Sequence, residues 1–210
     1  MKPRVPEQRS LFDLPAAPAT PEASIPKLAD AEGWAEFDDD EKPKHRLRVG
    51  RRWGEGPTAL FVGLNPSKAG AKTPDATLAK IIGFTHRLTD CRAFEVGNLY
   101  SYIATDTSDM EAAAKRGEVI LDARNDERLA AMAREASMAF LVVSGHRLVS
   151  PRITPVVEIL AAAGLETYCL GLTKDGFPLH PSRLPYDKGS VRPFTREDLA
   201  RLVHDKGSAR

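Results

Sequence analysis

Four short apolar runs constrain this chain more than any other feature: Thr58-Ala-Leu-Phe-Val62, Ala93-Phe-Glu-Val96, Ala139-Phe-Leu-Val-Val143 and Glu166-Thr-Tyr-Cys-Leu170. The first and third show no apolar–polar alternation, which suits strands covered on both faces, as in a parallel sheet. Helical spacing fills the gaps between them. Leu78, Ile81, Ile82 and Thr85 repeat within Asp75–Leu88, Ser108–Lys115 reads as a second helix, and Asn125 is placed to cap a third through Ala136. Pro155–Ala163 ends at Gly164, and a last helix over Thr195–Val203 takes Thr195 as its cap. Strands alternating with helices predict an α/β fold with a mainly parallel four-stranded sheet flanked by helices. Leu47 and Val49 alternate with charges and predict a half-buried edge strand.

Composition bounds the rest. At 210 residues, 42% hydrophobic and 28% charged, the chain supports one core plus a tail. Residues 1–30 hold six of the 16 prolines, and Asp38-Asp39-Asp40-Glu41 follows, so residues 1–40 are expected to form a flexible leader and 41–210 a single α/β domain. The leader is acidic, with 4 Lys/Arg against 9 Asp/Glu, and since the whole chain stands at +1 the remainder stands at +6. A basic block from Lys42 to Arg52 is therefore expected to give DNA weak, salt-sensitive contacts. Cys91 and Cys169 lie far apart without flanking ligands, which argues against a disulfide framework or a zinc finger. No histidine pair has metal-ligand spacing, and neither a catalytic metal nor a cofactor is expected. No apolar run is long enough for a bilayer and no export signal is visible, so a cytoplasmic location without membrane contact is expected.

Polar residues gather where the strands end. Gly63-Leu-Asn-Pro-Ser67 follows the first, Gly97-Asn98 the second with Tyr100 beyond, and Ser144-Gly145-His146 the third. Gly171 follows the fourth, and a further loop leads to His180-Pro-Ser182-Arg-Leu184. In a parallel sheet all of these fall on the carboxyl rim, where ligands bind. Gly63-Leu-Asn-Pro-Ser lacks the lysine and length of a phosphate loop. Pro66 restricts the residue before it and so holds Asn65, whose amide can orient a water and a substrate or simply tie up the turn. Asn98 with Tyr100 suits edge recognition and stacking of a base, or a capped strand end and a core ring. His180, clamped before Pro181 in a loop, reads as functional.

Taken in order, GLNPS, the asparagine after the second strand and HPSRL resemble the uracil-DNA glycosylase superfamily, most of all its mismatch-specific branch. The resemblance implies a glycosylase-like fold in which Asn65 places the attacking water and Asn98 reads the base edge. His180 then donates to the departing base and Leu184 wedges into the duplex, with Gly63, Tyr100 and Ser182 at the substrate and Phe84 or Tyr100 as the stacking ring. From about Arg46 to Leu184 the chain also resembles a bacterial family known only as a domain of unknown function. Arg48, Arg52 and Trp53, Leu64–Ser67, Asp75 and Thr77, Asn98-Leu99 and Gly176/Pro178/His180-Pro181 carry that likeness. Gln8, Leu11 and Phe12 resemble the Q-x-x-L-F peptide by which bacterial DNA-processing proteins bind the replication sliding clamp. The expected function is thus DNA processing, as a metal-independent N-glycosylase removing an altered base. The alternatives are a non-catalytic α/β module that binds nucleic acid or a nucleotide and is recruited to the clamp, and a small-molecule N-glycoside hydrolase.

Overall fold

The computed structural model describes residues 24–70 and 75–204. The clamp-like peptide at Gln8, Leu11 and Phe12 lies outside the described residues. Among the described residues one mixed sheet carries seven strands: β1 Glu32–Phe37, β2 Arg46–Arg52, β3 Thr58–Gly63, β4 Ala93–Asn98, β5 Met138–Leu141, β6 Thr167–Cys169 and β7 Arg192–Pro193. Their order is β1-β2-β4-β3-β5-β6-β7. Only the central strands β4, β3, β5 and β6 run parallel; β1, β2 and β7 add antiparallel edges. The expected four-stranded sheet is therefore corrected to a wider, mixed one.

The added edge also corrects the expected role of β2, which lies between β1 and β4 with Leu47 and Val49 fully buried. Gly50 explains how β1 docks. A Cβ there would fall 2.3 Å from the Trp34 indole, so only glycine lets that ring lie across β2. Trp34 Nε1 then donates to Glu95 Oε1 at 2.7 Å, and Arg48 pairs with Glu36 at 3.2 Å and Glu95 at 3.5 Å. Residues 32–37, assigned by composition to a flexible leader, are thus paired sheet, and the sheet reaches back before residue 41.

The helices are α1 Ala76–Leu88, α2 Thr107–Lys115, α3 Asn125–Glu135, α4 Val149–Ala162 and α5 Arg196–His204. Asp75 caps α1, its Oδ1 accepting from Leu78 N at 2.9 Å. Thr195 Oγ1 accepts from Asp198 N at 3.1 Å while Asp198 Oδ2 accepts from Thr195 N at 2.9 Å, a capping box with Asp in the distal position. Asn125, expected as a cap, instead sits inside the first turn of α3, buried, with Nδ2 donating to the Asn98 carbonyl at 3.1 Å. Helix α4 starts six residues before Pro155, so that proline sits in the second turn, where it gives up one bond of the backbone ladder. Among the described residues no helix is long and apolar enough to cross a membrane.

Strand parity splits the core. Phe61, Phe94, Val96, Phe140, Val142 and Tyr168 pack on the side of α1, with Phe61 and Phe140 stacked at 4.9 Å. Leu60, Val62, Leu141, Val143 and Cys169 face the other way, under residues of α2, α3, α4 and α5 such as Met110, Leu129, Ile153 and Leu202.

Candidate functional site

Strands β4 and β5 lie on opposite sides of β3, so the chain changes direction across the sheet there. In open α/β sheets such a switch leaves a crevice at the carboxyl ends. A cavity of about 290 Å³ occupies that position. Its walls come from the ends of β3 and β4, the first turns of α1, the segment after β5 and the loop carrying His180.

Gly63 and Asn98 are cross-strand neighbours at the end of β3 and β4. A Cβ on Gly63 would stand 2.9 Å from Asn98 Oδ1, so this glycine makes the room in which the carboxamide lies. Asn98 is 2% exposed, and its Nδ2 has no acceptor among the described residues. A buried amide donor of this kind is costly unless something pairs with it.

Asn65 lines the same cavity, but its amide nitrogen is committed. Nδ2 donates to the carbonyls of Ala104 at 2.8 Å and Pro66 at 3.2 Å, and Oδ1 accepts from Thr107 Oγ1 at 3.4 Å. It therefore secures its turn and keeps only spare acceptor capacity on Oδ1 for a ligand.

His180 arrives through a tight reversal. Gly176, with φ +81°, closes the turn from Thr173 to Phe177, and Leu172 bridges Pro178. The ring's Nδ1 lies 2.8 Å from Ser182 Oγ and accepts from Ser182 N at 3.3 Å. Burial holds its pKa below the ordinary value, against the opposing pull of Asp75, so the ring is neutral at pH 7. With Nδ1 accepting, the remaining proton sits on Nε2, a donor available to the cavity. Ser182 therefore orients His180 and does not itself line the cavity.

Three expectations from the family resemblance are corrected. Leu184 is 8% exposed within the apolar cluster beside Phe84, so it does not project as a wedge. Tyr100 is 6% exposed, belongs to the core on the opposite face of the sheet and lies outside the lining. Phe84, packed edge-on against Tyr186 at 4.9 Å, is also absent from it. The basic block is spent largely inside the fold: Arg46 and Arg51 are buried, Arg48 pairs with two glutamates, and Lys42 and Lys44 remain exposed.

The cavity also holds residues that motif reading left without a role. Arg46 reaches from β2 to donate through Nη1 to the carbonyls of Ala69 at 2.9 Å and Ser67 at 3.4 Å. Ser67 Oγ donates to Asp75 Oδ2 at 2.8 Å. Ser144 takes a left-handed φ of 53° after β5, a costly conformation for a non-glycine residue and one that gathers at functional sites. Only the positive φ of Ser144 and the burial of Arg46 mark these residues, and neither is written in a linear motif. His146 pairs instead with Glu111 at 3.0 Å and lies outside the lining. Among the described residues no group of His, Cys, Asp or Glu side chains could hold a metal ion.

No curated protein and no solved structure matches the chain. A family model described as "Protein of unknown function (DUF1643)" matches residues 46–182, a span that runs from the buried Arg46 to the Ser182 that orients His180. The chain is a member of the DUF1643 family.

Proposed function

We propose that the cavity holds an altered base and that the protein is a metal-independent N-glycosylase acting on DNA. The observation that carries this reading is the Asn98 amide, buried without an acceptor in the same cavity as a neutral His180. An amide donor and an Nε2–H donor suit the acceptor edge of a base that gains negative charge as its glycosidic bond breaks. The volume, about 290 Å³, is of ligand size. Likeness of the rim motifs to the uracil-DNA glycosylase superfamily supports the same assignment. Asn98 Nδ2 reads the base edge, and His180 Nε2–H donates to the base as it leaves. The spare lone pair on Asn65 Oδ1 aligns the attacking water; an oxocarbenium-like state needs a placed water more than a strongly activated one. Contact with DNA is weak and salt-sensitive, through the exposed lysines, and the Gln8/Leu11/Phe12 peptide docks on a sliding clamp.

Oligonucleotides carrying different altered bases, screened for abasic-site formation, test the reading. Wild-type protein should release one class of base, and His180→Ala should slow release by about a hundredfold or more with little change in melting temperature. Release from no substrate, or equal rates in the variant, removes the glycosylase reading.

A second reading, a non-catalytic nucleotide-binding module, draws on the burial of Leu184 and on a lining that among the described residues has no aromatic ring besides the His180 imidazole. Nothing there opens a duplex or stacks on a base. Saturable nucleotide binding without cleavage identifies that case.

A further inference from the structure

Arg46 is an odd residue to find in a cavity wall. It is 3% exposed, yet its Nε has no acceptor among the described residues. Its neighbour on the strand, Arg51, is just as buried but donates to the carbonyls of Gly50 at 2.6 Å and Gly70 at 2.7 Å and is not part of the lining. The two arginines thus divide their work: both hold the loop after β3, and only Arg46 keeps an unpaired donor at the cavity. The nearby carboxylate, Asp75, makes no hydrogen bond to Arg46; Ser67 Oγ and Leu78 N occupy it. Burial lowers the pKa of Arg46 to about 10, partly offset by Asp75, so the cation persists at neutral pH, and among the described residues no carboxylate is hydrogen-bonded to it. The Asn98 amide is a second unpaired donor on the same cavity. A cation and two unpaired N–H groups in one enclosure favour a ligand with negatively charged oxygen.

We propose that Arg46 and Asn98 form an oxyanion subsite in this cavity, with Arg46 Nε–H directed to a charged oxygen of the ligand. This rests on the nucleic-acid reading of the site only in the choice of ligand. The oxygen belongs either to a phosphate monoester or to an oxo-base in its anionic form, and the two are distinguishable.

Titration calorimetry of the full-length protein, with matched charged and neutral probes, provides the test. Nucleoside monophosphates are compared with their nucleosides, and xanthine with hypoxanthine at mildly alkaline pH, where only xanthine is largely anionic. Wild type should prefer the charged member of one pair, and Arg46→Met should weaken that member by about tenfold or more while sparing the neutral one. A preference in the phosphate pair assigns the subsite to phosphate, and one in the base pair assigns it to a base anion. Arg51→Met, which loosens the same loop without touching the lining, serves as the folding control and should retain the preference. Equal affinity for both members of both pairs overturns the proposal, as does a preference that survives in Arg46→Met or is lost equally in Arg51→Met. If charged probes bind as expected but no base is released from DNA, the oxyanion subsite stands and the glycosylase reading falls.

Discussion

The two faces of the central sheet end differently, and the site is the consequence. On the helix-rich face the strands finish in Leu64, Leu99 and Val143, buried in apolar contact, with Leu64 and Val143 giving the cavity its apolar wall. On the α1 face the same strands finish in Gly63 and Asn98, and the lining continues through Ser144. Beneath them that face is the more aromatic of the two, with Phe61, Phe94, Phe140 and Tyr168 filling the sheet surface. Phe61 stops two residues short of Gly63, and Phe94 and Phe140 stop four short of Asn98 and Ser144, with only Val96 and Val142 between on that face; glycine and polar residues then take over at the rim. A cavity opens where packing volume drops, within a face that is otherwise filled. Adjacent residues in one strand thus serve opposite purposes, because strand parity sends them to opposite sides.

Breaking the aromatic floor should have the largest effect. Phe140→Ala removes a ring stacked on Phe61 and leaves a void in the aromatic floor. A loss of about 4 kcal/mol in unfolding free energy is expected from urea titration. A loss below about 1 kcal/mol would mean that the floor repacks freely and the contrast between floor and rim is overstated.

Exchanging the chemistry of the two faces sharpens the comparison. Asn98→Leu removes an unpaired buried donor, so stability should be unchanged or raised by up to about 1 kcal/mol while ligand binding is lost. Leu99→Asn, one residue along and fully buried on the other face, should instead cost about 3 kcal/mol, since it buries an amide among side chains that offer no partner. Equal destabilisation by both substitutions would show that Asn98 is structural.

The smallest effect is in pH dependence. Burial depresses the pKa of both His45 and His180 below the ordinary 6.5. In the window below 6.5 the unfolded chain then binds more protons than the native one, so native stability rises with pH and falls on acidification. Urea midpoints at about pH 7.5 and about pH 5.5 should therefore differ more in wild type than in the His45→Gln/His180→Gln double variant. Equal pH sensitivity in the two proteins would place the histidines outside this linkage.

Much of this was legible in the chain. Apolar runs of five residues announced β3 and β5, and Asp75, Thr195 and Gly164 marked helix ends through local hydrogen bonding and backbone preference. Glycine and polar residues after each run placed a rim, because parallel strands send their carboxyl ends the same way. These features depend on neighbours a few residues apart, which is why sequence determines them. What only tertiary structure decided depends on residues far apart in the chain. Trp34 crossing Gly50 to reach Glu95 turned β2 from an expected edge into an interior strand, and a composition-based leader into sheet. Leu184, a wedge by the family resemblance, and Tyr100, open between a stacking ring and a core ring, are both core, since burial is set by what packs above a side chain, not by the motif around it. The same physics separated Arg46 and Arg51, alike on paper within one basic block: each guanidinium found loop carbonyls within its reach, and Arg46, which also lines the cavity, keeps a buried Nε without an acceptor among the described residues.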